Sequence, residues 1–153
     1  MHAFRYLSLV TSSLLAMSFS CHKNEELPCP EGLVATAAVT NWNYSPYCFA
    51  TPIGNGPAQT YVINSNADLQ AVNHCTTAPT IDFNRYTLLA GKTKLPYCGS
   101  VESQQVTQTC GAGYTYHVKL AAGLCQASTE VMYCILVPKV PAGTVVAFDV
   151  TLP

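Results

Sequence analysis

The sequence predicts one α+β domain, mainly an antiparallel β-sheet of meander type with one packed α-helix. Three observations lead there. The chain has 153 residues, the size of a single compact domain. Its second half alternates short runs rich in Val, Tyr, Thr and Ile with Gly, Pro and Ser, the pattern of strands and their turns. A single stretch, opening at Ser65 or Asn66, joins a helix-start signal to an apolar stripe.

Residues 1–20, MHAFRYLSLVTSSLLAMSFS, carry His2 and Arg5, then an uncharged, largely apolar stretch from Tyr6 to Phe19. That is the layout of a secretory signal peptide, and the apolar part is short of the roughly 20 residues a membrane span needs. Ser18-Phe19-Ser20-Cys21 resembles a lipobox, in which the chain is cut before a cysteine bearing a diacylglyceryl thioether. Cys21 is then a lipidation site, and the alternative is an ordinary secreted protein in which Cys21 joins a disulfide. The following His22-Lys23-Asn24-Glu25-Glu26 resembles the surface-export tag of Bacteroidetes lipoproteins. Residues 21–32 read as an acylated tether and 33–153 as a single disulfide-stabilised domain. Several acyl chains on one cysteine anchor stably where one chain binds only marginally.

Within the domain, Leu33 to Val39 (LVATAAV) reads as a first strand. The charge-free stretch that follows holds Pro46, Pro52, Pro57, Gly54 and Gly56, which favour loops over helix. Gln59 to Asn64 is a strand by its Tyr, Val and Ile. The helix from Ser65 or Asn66 has Asp68 in its first turn, favourable to the helix dipole, and about ten residues reaching Cys75. Pro79 stops any continuation, and Tyr86 to Ala90 reads as a short buried strand. Four more strands follow: Val101 to Thr109, Tyr114 to Ala121, Val131 to Val137 and Thr144 to Thr151. In the second of these Tyr114, Tyr116, Val118 and Leu120 share one face, and Thr115, His117 and Lys119 the other, so it is half exposed. Val131 to Val137 is apolar on both faces, which predicts a central strand covered by the helix.

Eight cysteines in an exported chain predict disulfides. Neighbouring cysteines are never closer than seven intervening residues, unlike the close pairs of structural zinc sites, so no metal is expected. With Cys21 lipidated, seven remain and at least one stands outside the bridges, Cys29 or Cys134 being the candidates. If Cys110 faces Gly113 across the turn, facing positions sum to 223 and Cys98 meets Cys125. That bridge closes 28 residues and contributes roughly 3–4 kcal/mol by chain entropy. Cys48 with Cys75 is the favoured second pair.

Charge excludes one partner class. Seven Lys plus Arg against eight Asp plus Glu, without a basic cluster, give no surface for nucleic acid. No nucleophile elbow, zinc-protease or phosphate-loop motif is present, no cofactor is implied, and no catalytic residue is assigned. His22, His74 and His117 with Asp68, Asp82 and Asp149 can cluster only through the fold, and Asp82 reads as a turn former. The aromatic group Trp42, Tyr44, Tyr47 and Phe49 is a possible binding loop, since exposed rings stack on sugars or anchor a partner protein; the alternative is that these rings cover the edge of a small core.

Three stretches carry a resemblance. Val62-Ile63-Asn64-Ser65-Asn66-Ala67-Asp68-Leu69, Pro79-Thr80-Ile81-Asp82-Phe83-Asn84-Arg85-Tyr86-Thr87-Leu88-Leu89 and Ile135-Leu136-Val137-Pro138-Lys139 resemble, in order of elements, the PrcB-type domain of protease-complex lipoproteins. The resemblance implies a non-catalytic envelope protein that binds or stabilises another envelope protein, while the lipobox and the export-tag stretch lead to the expectation of outer-membrane anchoring with surface exposure. The alternative is a small secreted carbohydrate-binding module or hydrolase using the 42–49 loop.

Overall fold

The computed structural model describes residues 29–40, 48–49 and 59–153. They form seven strands and one helix: β1 (Gly32–Leu33), β2 (Gln59–Ile63), α1 (Asn66–Val72), β3 (Tyr86–Leu95), β4 (Gly99–Thr109), β5 (Gly113–Ala122), β6 (Thr129–Pro138) and β7 (Val146–Thr151). The strands make two sheets, ordered β1-β4-β5-β7 and β2-β3-β6. The α+β class, mainly antiparallel strand with one short helix, is therefore as the sequence predicts.

The order of strands differs from a meander. Only β4 and β5 form a hairpin; β6 then leaves for the other sheet to pair with β3, and β7 returns beside β5, parallel to it. Parallel neighbours need a long crossover, and β6 supplies it. The reason is burial. β6 is apolar on both faces, and a strand in a one-sided meander would leave one face in water.

Side-chain alternation on β3 and β6 builds two cores. Leu89, Leu95, Val131, Tyr133, Ile135 and Val137 pack against Val106, Tyr116, Val118 and Leu120 of the facing sheet. The Tyr116 ring meets Tyr133 edge-on at 5.9 Å and Phe148 at 5.5 Å, joining the two layers. On the opposite face Leu88, Ala90, Met132 and Cys134 pack with Ile63, Ile81, Phe83, Phe49 and Leu69 of the helix. The result is three layers, sheet on sheet on helix and loops. β3, between β2 and β6, is the central strand; β6 has β3 on one side and the bridge to Ala37 on the other. β3 also runs past Gly91 to Leu95, because the glycine leaves room for the Tyr133 ring rather than breaking the strand.

Two elements are shorter than their sequences suggest. The helix has seven residues, opened by the Ser65 hydroxyl accepting from the Asp68 amide while the Asp68 carboxylate accepts from the Asn64 amide. It ends at Asn73 because Phe49 bridges Asn73, the His74 amide donates to the Cys48 carbonyl and Cys48 is disulfide-bonded to Cys75. The expected strand from Leu33 to Val39 is divided: Gly32 and Leu33 pair with β4, whereas Ala37 exchanges two backbone hydrogen bonds with Leu136 of β6. The segment thus crosses from one sheet to the other.

Three disulfides join Cys29 to Cys110, Cys48 to Cys75 and Cys98 to Cys125, with Cα separations of 5.8, 4.8 and 5.4 Å. They fit an oxidising, exported environment. Among the described residues no helix is long and apolar enough to cross a membrane. The last two bridges match the sequence pairing, although the register does not: Thr109 faces Gly113, and a bulge at Glu102 shifts the ladder so that Gly99 faces Ala122. Cys98 and Cys125 still meet because they lie just past the strand ends, where the Cys98 amide donates to the Cys125 carbonyl. Cys29 belongs to a bridge and Gly32 to a strand, so both are tied to the domain rather than to a tether. Cys134 takes part in none of the three disulfides and is buried on β6.

Candidate functional site

A polar concavity lies where β2 ends, β3 begins and β6 ends. Asn64, Ser65, Asn66, Ile81, Asp82, Phe83, Asn84 and Lys139 line a cleft of about 450 Å³. Backbone geometry explains its walls. Asp82 forms the turn before β3, its carboxylate accepting from the Asn84 amide and its carbonyl from the amides of Arg85 and Tyr86. The Lys139 amide donates to the Arg85 carbonyl, which brings the end of β6 to the same place.

Asn64 is held from every side. Its amide donates to Asp68, its carbonyl accepts from Lys139 Nζ at 2.7 Å, and its Oδ1 accepts from the Thr87 hydroxyl at 2.6 Å. Thr87, fully buried, accepts in turn from the Val140 amide at 2.9 Å. Because Oδ1 is the acceptor, Nδ2 is the donor left to face a ligand. The cleft therefore offers a fixed amide donor, an ammonium, the exposed Asn66 and Asn84 side chains and the Asp82 carboxylate over a floor of Ile81 and Phe83. Such a surface can exchange hydrogen bonds with polar groups brought against it.

A second constellation crosses the outer face of the four-stranded sheet. His117 Nδ1 lies 2.9 Å from Asp149 Oδ2, and Nε2 lies 3.0 Å from Thr107 Oγ1. A carboxylate only accepts, so Nδ1 is the donor to Asp149, and the second ring nitrogen shares a hydrogen bond with the Thr107 hydroxyl. Strand register places the three: His117 faces Asp149 on β7 and Gln105 on β4, and Thr107 is diagonal to it. The order of groups is that of a hydrolytic triad. The setting is open, with the His117 and Asp149 side chains 34% and 60% exposed, whereas acyl transfer needs a water-excluded pocket with donors for an oxyanion. As it stands, the chain ties β4, β5 and β7 together across their solvent face.

The predicted site residues divide. Phe49, read from the sequence either as part of a binding loop or as a ring covering the edge of the core, takes the second role: it is 2% exposed and packs on Tyr61 with ring centroids 5.2 Å apart. The Cys48–Cys75 bridge and the Asn73 pairing draw it into the core between α1 and the three-stranded sheet. Trp42, Tyr44, Tyr47 and Cys21 lie outside the described residues, as do His22 and residues 1–20, expected to be a signal peptide. His74 is exposed near the end of the helix. Among the described residues no group of His, Cys, Asp and Glu is placed to hold a metal ion. Sequence reasoning singled out neither Asn64 nor Lys139 as a site residue. The stretches 62–69, 79–89 and 135–139 meet around this one cleft only in the folded chain. Comparison with protein-family models, with curated proteins and with solved structures finds no match to the chain.

Proposed function

We propose that the protein is a lipid-anchored component of the cell envelope, held in the outer membrane through Cys21, that binds another envelope protein and catalyses no reaction. The observation that carries the binding role is the convergence of three distant stretches on the Asn64–Lys139 cleft, where a hydrogen-bond chain running from buried Thr87 out to exposed Lys139 presets a polar surface. Preset donors lose little freedom on binding, which favours recognition. The anchoring role is supported by the lipobox-like Ser18–Cys21. The resemblance to PrcB-type domains points the same way.

Cross-linking in intact envelopes followed by purification tests the binding role. Asn66→Arg with Asn84→Arg fills the cleft using exposed side chains, and the partner recovered with the wild type should be lost. Recovery in equal yield overturns the assignment. Anchoring is tested by inhibiting lipoprotein signal peptidase, which should cause the precursor to accumulate, and by Cys21→Ser, which should release the protein from membranes. The Thr107–His117–Asp149 chain supports a second reading, a small secreted hydrolase. Covalent labelling of Thr107 by a serine-hydrolase phosphonate, abolished by His117→Ala, would favour it over the first.

A further inference from the structure

We propose that the domain stands on the lipid surface at the end bearing the β4–β5 turn, with the residue 110–114 and 140–146 loops against the bilayer and the Cys98–Cys125 end held away from it. This rests on the acylation of Cys21 argued above.

The tether's point of attachment comes first. Cys29 is bonded to Cys110 at the tip of the β4–β5 hairpin, and the Cys110 amide also donates to Glu31. The N-terminal chain is thus fastened covalently to one end of the four-stranded sheet. Eight peptide steps separate Cys21 from Cys29, which at about 3.6 Å each reach no further than about 29 Å. From Thr109 to Gly99 the strand β4 runs ten steps, about 34 Å at about 3.4 Å each. Even fully extended, that tether falls about 5 Å short of holding Cys29 above an inverted domain standing upright on its far end.

The remaining choice is between the turn end and a side, and charge decides it. Residues 103–116 and 140–148 contain no Asp, Glu, Lys or Arg. The two loops lie together, the Tyr114 amide donating to the Val145 carbonyl, and Ala112, Pro141, Ala142 and Val145 are exposed, Val145 at 68%. Glu31 is the charged neighbour on this lip, and Lys139, which opens the second loop, is turned to the Asn64 carbonyl. The outer sheet face instead carries Glu102, Lys119 and Asp149, and the helix side Asp68, Asp82 and Arg85. Charged and hydrogen-bonding groups lose hydration on approaching the acyl boundary, so the uncharged lip settles there at least cost. Lipid headgroup charge should matter little, because no basic cluster faces the surface. The recognition cleft begins at Lys139, so its occupant would sit close to the same membrane.

Hydrogen exchange on the acylated mature protein in phosphatidylcholine vesicles tests the placement, with the unacylated Cys21→Ser protein as reference. Slower exchange at residues 111–114 and 142–146, with none at 123–128, is expected, and Val145→Asp should abolish it while the protein still pellets with vesicles. An anchored protein protected at 123–128, on the helix side or nowhere overturns the orientation and leaves anchoring intact. If the Cys21→Ser protein pellets as the wild type does, the anchoring reading fails and the orientation with it.

Discussion

Gly91 sits opposite Tyr133 in the β3–β6 ladder, and replacing it by alanine is the sharpest test of how the core is assembled. A Cβ at Gly91 would collide with Tyr133 Cε2 and lie 2.6 Å from Cζ and 2.7 Å from the hydroxyl. The ring has little freedom to yield. It is 1% exposed, packed edge-on against Tyr116, and its hydroxyl is within 3.5 Å of Thr93 Oγ1. Overpacking of this kind costs about 1–3 kcal/mol. Alanine regains about 0.4–1 kcal/mol by restricting the unfolded chain, which leaves Gly91→Ala about 1–2 kcal/mol less stable. Tyr133→Leu removes the obstructing ring, so in that background the same substitution should be neutral or slightly stabilising, a coupling of about 1–3 kcal/mol. Urea unfolding of the Cys21→Ser protein with its disulfides intact, followed by far-ultraviolet circular dichroism, reads the four midpoints at constant slope. Wild-type stability in Gly91→Ala, or equal costs in both backgrounds, would refute the reasoning.

Three further outcomes follow from the same structure. Cys29→Ala with Cys110→Ala opens a bridge spanning 81 positions and should lower stability by about 4–5 kcal/mol on a chain-entropy account, read as a lower urea midpoint. Phe49→Ala should cost about 3–5 kcal/mol by leaving a cavity beside Tyr61 and Leu69, while partner recovery from envelopes at a permissive temperature stays unchanged. Burial raises the Tyr133 phenol above its ordinary range, with the Thr93 hydrogen bond lowering it only in part. Above pH ~10 the unfolded chain therefore holds fewer protons than the folded one, and stability falls as pH rises. Tyr133→Phe should flatten that decline, with unfolding midpoints near pH 8 little changed; the residual slope belongs to Tyr61, whose phenol burial also raises.

How much of this was legible in the sequence depends on the range of the forces involved. The alternation of Tyr114, Tyr116, Val118 and Leu120 against Thr115, His117 and Lys119 marks which face of β5 is buried, because strand periodicity is local. Ser65 and Asp68 marked the start of the helix for the same reason. Its early end was not legible, since it is imposed by a disulfide and a backbone bridge from residues 48 and 49. The departure of β6 to a second sheet was invisible too, although its two apolar faces signalled that both would be covered. For the candidate site, Asp82 was identifiable as a turn former, but the role of Asn64 depends on Thr87, Val140 and Lys139, which only the finished fold brings within reach.

The Cys29–Cys110 bridge has a mechanical consequence. Tension applied to the chain ahead of Cys29 passes through a covalent bond straight to the hairpin tip, and does not run along the 80 residues between the two cysteines. The two-residue strand β1, the helix and the β3–β6 ladder are bypassed by that load path. A domain tugged from its N-terminus would thus feel the pull at β5, whose ten residues are flanked by β4 and β7 and lie in the middle of the sheet. Shear across paired strands on both sides, not the peeling of a short edge strand, is what would have to give way first.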